Sequence, residues 1–93
     1  MVRIYAPTPK DIERIQRHSR LEQLTKKFVR TEDICVLAPL AISLYCNSIL
    51  IIPATNEVIV HDPRKLEISI KLAAAYEKDF DEEFMVKKEY LTQ

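Results

Sequence analysis

Positively charged side chains are concentrated in the first third of this 93-residue chain, although the whole sequence has no net charge. Residues 1–30 hold eight Lys and Arg against three Asp and Glu, whereas residues 57–93 hold six against nine. Basic helical segments are typical of proteins that contact nucleic acid, because each cation neutralises a phosphate and releases a counterion. The candidate contact residues are Lys10, Arg14, Arg17, Arg20, Lys26, Lys27 and Arg30. Two alternatives stay open: a solvated basic face, or pairing with the acidic C-terminal part of the same chain.

Cysteine and histidine, which often carry nucleophilic or metal chemistry, occur only twice each. A thiol–imidazole pair would require Cys35 beside His18, or Cys46 beside His61, and the apolar sequence around Cys46 disfavours a reactive thiolate. The spacing of these residues does not match a structural zinc site. The acidic run at 79–83 is typical of a solvated helix surface. We therefore expect a protein without catalytic activity, metal or cofactor.

Glycine is absent from the sequence, although about 7% of residues in an average protein are glycine. Glycine-rich phosphate loops, dinucleotide-binding turns and EF-hand loops all need a residue without a Cβ at a strained or closely approached position. The sequence therefore excludes a nucleotide bound through a glycine-rich loop. It also requires Pro, Asn, Asp and Thr to form the turns.

The sequence favours a cytoplasmic location over a membrane. Residues 1–33 are too densely charged for a signal peptide, and Val2 stands where a myristoylation signal needs glycine. The uncharged run Ile34–Ile52 is long enough to suggest a membrane span. Pro39 interrupts it, however, and the chain has little other apolar sequence from which to form a core. Membrane insertion is therefore the less favoured interpretation.

Apolar periodicity and capping residues predict the order of the elements. We expect a strand at 2–6, two short helices at about 9–18 and 20–29 or one sharply bent helix, a buried helix at 32–47, a hairpin of strands 49–52 and 57–61, and a helix at 63–91. The shift from the Ile12 and Ile15 stripe to the Leu21 and Leu24 stripe is the reason to divide the first helix.

These elements predict one α+β domain over residues 1–93, in which three to four helices pack on a small antiparallel sheet. The sheet would combine the N-terminal strand with the hairpin, and the C-terminal helix would be long. The element order is similar to that of winged-helix DNA-binding domains, although here the third helix is apolar and the hairpin tip has no cation. The predicted core comprises Ile12, Ile34, Leu37, Leu40, Ile42, Leu44, Ile49, Ile51, Val58, Val60, Leu66, Ile70 and Phe80.

Two functions fit this pattern. The first is a non-enzymatic, homodimeric regulator that contacts nucleic acid through the basic N-terminal segment. The second is an adaptor or antitoxin-like module that dimerises through its C-terminal helix and has no affinity for nucleic acid. Aromatic residues and methionine are enriched at the centres of interfaces. The predicted interface residues are Tyr76, Phe80, Phe84, Met85, Tyr90 and Leu91.

Overall fold

The computed structural model describes residues 9–37 and 41–90, which form two α-helices and a five-stranded sheet. The helices are α1 (Pro9–Thr25) and α2 (Leu66–Phe80); the strands are β1 (Ile34–Leu37), β2 (Ala41–Leu44), β3 (Ile49–Ile52), β4 (Glu57–Val60) and β5 (Met85–Lys88). Single turns of 3-10 helix precede β1 and α2, at Thr31–Asp33 and Pro63–Lys65.

The five strands lie side by side in the order in which they occur along the chain. The first four form an antiparallel meander, and β5 pairs with β4 in parallel after the chain has passed through α2. A parallel connection needs a crossover segment of a dozen or more residues, which the helix supplies. The sheet is therefore mixed, and among the described residues β1 and β5 form its two edges.

The core lies between one face of the sheet and both helices. The register places Ile42 beside Ile51 and Ile51 beside Val58, and all three side chains are fully buried. Leu21 of α1 and Tyr76 of α2 belong to the same buried cluster. Side chains alternate between the two faces of a strand, so Ile42, Ile51 and Val58 lie on the same face of the sheet, the one that packs against the helices.

The prediction of a helix at 32–47 is wrong, because this stretch contains β1 and β2. Ile34 and Val36 share a sheet face with Leu44 and Ile42, their partners in the register. An uncharged, largely apolar run such as 34–46 does not reveal whether its period is 2.0 or 3.6, since nearly every position is compatible with burial. Branched side chains favour the strand.

The first helix is continuous through Ser19, so the prediction of two short helices is also wrong. The residues that suggested a break are not in the core, since Ile12 is 43% exposed and Ile15 is 58% exposed. The buried face of α1 consists of His18, Leu21 and Thr25, spaced three and four residues apart.

The prediction of a long C-terminal helix at 63–91 is wrong as well. α2 ends at Phe80, and Asp81 takes the left-handed conformation, with φ 55° and ψ 43°. The chain then turns back, and the Glu77 carboxylate accepts a hydrogen bond from the Phe84 N–H at 3.0 Å. Phe84 packs against Tyr76 with ring centroids 5.3 Å apart. In the sequence, Phe84 continues the apolar spacing of α2. It does so because the turn after Phe80 brings its side chain back to the same core.

The α+β class is confirmed, but the architecture predicted within it is wrong. The described residues contain two α-helices and five strands in a mixed sheet, and not three to four helices on a small antiparallel sheet. The winged-helix order is therefore excluded. The hairpin at 49–52 and 57–60 is present, with its turn at Pro53–Asn56. The strand predicted at 2–6 lies outside the described residues.

The predicted core is partly correct. Its buried members are Ile42, Leu44, Ile49, Ile51, Val58 and Val60. Its exposed members are Ile12, Leu37 and Ile70, and its half-buried members are Ile34, Leu66 and Phe80. Leu40 lies outside the described residues. Neither of the two helices has the length and apolarity that a membrane span requires.

Left-handed backbone occurs at five non-glycine positions of the described residues: Tyr45, Cys46, Asn47, Asn56 and Asp81. Asn and Asp tolerate this conformation, and their use agrees with the expectation for a chain without glycine. Tyr45 and Cys46 do not fit that expectation. They form the tight β2–β3 turn together with Asn47, whose side chain accepts a hydrogen bond from Ser43 at 2.6 Å.

Candidate anion-binding groove

An open groove of about 960 Å³ lies between α1 and the β3–β4 turn, next to the end of α2. Its charged lining residues are Lys10, Glu13, Arg14, Arg17, Arg20 and Glu82. The four cations are four, three and three residues apart, so they lie along one side of the helix. The structure thus brings together four of the seven cations that the sequence predicts to contact nucleic acid.

Arg17 is held by the protein itself. Its guanidinium forms a bidentate pair with Glu82, at 2.8 and 2.9 Å, and Nη2 also donates to Oδ1 of Asn56. Nε donates to the Pro53 carbonyl oxygen at 3.4 Å. Four of the five N–H bonds of a guanidinium are therefore directed at other parts of the same chain.

Asn56 organises the other side of this contact. Its Nδ2 donates to Glu82 and to the Glu83 carbonyl oxygen, both at 3.0 Å, and its own carbonyl oxygen accepts from the Met85 N–H at 2.8 Å. Its left-handed backbone, with φ 57°, allows it to close the β3–β4 turn and reach the chain after α2. Hydrogen bonds from Arg17 and Asn56 hold the pKa of the Glu82 carboxyl below its ordinary value.

Arg20 is also engaged within the chain. Its Nε lies 2.6 Å from Oδ2 of Asp79, and Nη2 donates to the Asp79 carbonyl oxygen at 2.9 Å. The guanidinium carbons of Arg17 and Arg20 lie 4.8 and 4.6 Å from the centroid of the Phe80 ring. These contacts join α1 to the end of α2. They correspond to the alternative in which the basic segment pairs with the acidic C-terminal part.

The remaining five cations are less constrained. Lys26 and Arg30 form exposed pairs with Glu22 at 3.9 Å and Glu32 at 3.5 Å. Exposed pairs of this kind contribute little to stability and are easily exchanged for another anion. Among residues 9–10, 12–37 and 41–90, Lys10, Arg14 and Lys27 have no ion-pair partner. The two ends of α1 therefore carry separate groups of accessible cations, Lys10 with Arg14 and Lys26 with Lys27 and Arg30.

The aromatic residues predicted as an interface mostly belong to the core. Tyr76 and Phe84 are buried, and Phe80 is half-buried beneath the arginines. Met85 and Tyr90 are exposed, but they lie in and after β5, not on a helix. Leu91 lies outside the described residues. This set therefore does not form the continuous helical surface that the sequence predicts.

Tyr76 forms a buried polar contact with α1. Its hydroxyl lies 2.5 Å from Oγ1 of Thr25, which itself donates to the Leu21 carbonyl oxygen at 2.6 Å. Since Thr25 uses its proton toward Leu21, the tyrosine is the donor between the two hydroxyls. Burial raises the pKa of Tyr76 to about 12. This group stabilises the packing of the helices.

The residues considered for catalysis are not assembled into a site. His18 is buried and its Nε2 lacks a hydrogen-bond partner among the described residues, whereas Cys35 is exposed. His61 donates from Nδ1 to the Glu89 carbonyl oxygen at 2.9 Å, and Cys46 is exposed in the β2–β3 turn. Among residues 9–37 and 41–90 there is no cluster of three potential metal ligands.

Sequence reasoning missed the role of Asn56, which it treated only as a turn residue. It also missed that Phe80 lies beneath two arginines. The charge difference between the two halves of the chain was the only available signal, and it did not identify the pairs. Comparison with protein-family models, curated proteins and solved structures finds no match for this chain.

Proposed function

We propose that this protein is a non-enzymatic nucleic-acid-binding protein that contacts the phosphate backbone through the accessible cations of α1 and the turn after it. The observation that supports this proposal is the position of Lys10 and Arg14 in an open groove, with Lys26, Lys27 and Arg30 at the other end of the helix. The proposal includes the cytoplasmic location expected from the sequence.

We propose five of the seven cations as contact residues. Arg17 and Arg20 are already bound to Glu82 and Asp79, and a phosphate would have to displace those carboxylates. The two accessible groups are separated along α1, a helix of 17 residues and therefore roughly 25 Å long. A ligand that contacts both groups must be extended and repeatedly charged, as a nucleic-acid strand is and a single phosphate is not.

The test is the salt dependence of binding to random-sequence duplex DNA between about 50 and 200 mM salt. Each phosphate neutralised contributes about −0.9 to the slope of log K against log salt. Contact through five cations gives a slope no steeper than about −4.5, whereas contact through all seven would reach about −6. The decisive variant combines Lys10→Gln, Arg14→Gln and Lys27→Gln, which should reduce the slope by about 2.7.

The matched control is Lys71→Gln on the exposed face of α2, where Lys71 forms a 3.7 Å pair with Glu67. Lys71→Gln should leave the slope unchanged. Both the triple variant and Lys71→Gln should unfold at the wild-type temperature. Absence of DNA binding at the lowest salt concentration, or binding that ignores the triple substitution, would refute the proposal. It would favour the alternative of an interaction module without affinity for nucleic acid.

A further inference from the structure

The two edges of the sheet differ in how well they are guarded against pairing with another strand. Natural edge strands are commonly protected by charged side chains, above all lysine. β5 carries Lys87 and Lys88, whereas β1 has the uncharged sequence Ile34-Cys35-Val36-Leu37. Val36 and Leu37 are 43% and 45% exposed, on opposite faces of the sheet. Within residues 9–37 and 41–90, β1 is therefore an apolar edge without the usual protection.

The hydrogen-bond pattern of the β1–β2 ladder shows which backbone groups of β1 are directed outward. The Tyr45 N–H donates to the carbonyl oxygen of Asp33, its direct partner, at 2.9 Å. Because such pairs alternate along an antiparallel ladder, Cys35 and Leu37 also bond to β2, and Val36 does not. The N–H and C=O of Val36 thus face away from the sheet, in the middle of the strand.

We propose that two copies of this chain pair through β1, antiparallel and centred on Val36, to form one continuous ten-stranded sheet. A two-fold axis at this position lets each Val36 donate its N–H to the C=O of the other, so that both outward groups are satisfied. Cys35 then lies opposite Leu37 of the second copy, which joins two exposed apolar positions. This inference does not depend on nucleic-acid binding.

Self-complementarity is the reason to assign a second copy and not an unrelated peptide. The central residue supplies both a donor and an acceptor, and the strand has no charge that would select an acidic or basic partner. The antiparallel arrangement also separates the two Asp33 carboxylates by six residue positions, about 20 Å along the strands. A parallel arrangement would place them side by side.

The oligomeric state is measured by light scattering over a wide concentration range, for the wild type, Val36→Lys and Ile70→Lys. Val36→Lys should raise the dimer Kd at least about tenfold, because the two lysines would lie opposite each other across the axis. Ile70 is an equally apolar, exposed residue of α2, and its replacement should leave the Kd unchanged. Thermal unfolding checks that both variants are folded.

Cross-linking tests the register without adding a charge. In a background of Cys35→Ser and Cys46→Ser, Val36→Cys should form an intermolecular disulfide, because hydrogen-bonded partners lie about 5.5 Å apart at Cα, within disulfide range. Ile70→Cys in the same background should not. A wild type that stays monomeric at every concentration would overturn the proposal. So would a dimer that survives Val36→Lys and forms no disulfide through position 36.

Discussion

Replacing Arg17 by methionine distinguishes a structural arginine from a ligand-binding one. Methionine keeps an apolar stem against Phe80 but removes every hydrogen bond of the guanidinium. The interactions lost are a partly exposed bidentate ion pair with Glu82, a hydrogen bond to Asn56 and stacking of the guanidinium on Phe80. Each contributes about 0.5–1.5 kcal/mol to stability. We expect the free energy of unfolding to fall by about 2–3 kcal/mol, which lowers Tm by roughly 10–20 °C in a domain of this size.

The assay is urea unfolding followed by circular dichroism, with Arg14→Met as the matched control. Arg14 lies three residues earlier on the same side of α1 and is exposed, so its replacement should change stability by less than about 0.5 kcal/mol. Arg14→Met should instead weaken the DNA binding proposed above. The reasoning is refuted if Arg17→Met unfolds like the wild type, or if the Arg14 variant loses as much stability.

The contact between Arg17 and Glu82 also predicts a pH dependence. Because the pKa of Glu82 is lowered in the folded state, its contribution to stability is complete above the unfolded value of about 4.5. It is lost as the pH falls through the folded value. Glu82→Gln should be less stable than the wild type at neutral pH, and the difference should shrink with acidification. A difference that stays constant down to pH 2 would contradict this assignment.

Four further substitutions test other contacts by urea unfolding. Tyr76→Phe should cost about 1 kcal/mol, whereas Thr25→Val should cost about 2 kcal/mol, because it leaves the buried tyrosine donor unsatisfied; equal costs would contradict the donor assignment. Since the folded pKa of Tyr76 is raised to about 12, its contribution is complete below pH 10 and lost between pH 10 and 12, and Tyr76→Phe should flatten that decline relative to the wild type. Cys46→Gly should stabilise the protein by about 1 kcal/mol by relieving a left-handed backbone, whereas Asn56→Gly should destabilise it, because its side-chain hydrogen bonds are lost; a stabilised Asn56 variant would show that those bonds contribute little.

The parts of the fold that could be predicted are those in which turn-forming or capping residues directly flank an apolar segment. The hairpin of β3 and β4 is bounded by turn residues, and the Asp62 cap precedes Pro63; its carboxylate accepts from the Arg64 N–H at 2.9 Å. The run from Ile34 to Leu44 offers no such contrast, because apolar residues occupy both faces. A helix and a pair of strands therefore fit it equally well.

The candidate site was only partly predictable, for a different physical reason. The basic side of α1 follows from helical spacing, which the sequence contains. The acidic partners of Arg17 and Arg20 lie 65 and 59 residues away, and the position of Glu82 depends on the turn at Asp81. That turn is concealed because Phe84 is four residues from Phe80, as it would be on a continuous helix. Long-range pairing cannot be deduced when a turn and a helix give the same spacing.

The parallel pairing of β5 with β4 sets the order in which parts of this fold can form during synthesis. The ribosome releases α1 before its anchoring carboxylate, Glu82, and before β5. Until β5 is released, the β4 edge of the meander lacks the strand that covers it in the folded protein. Residues 82–88 thus both fix the first helix and close one edge of the sheet, so neither contact can form until that segment has been synthesised.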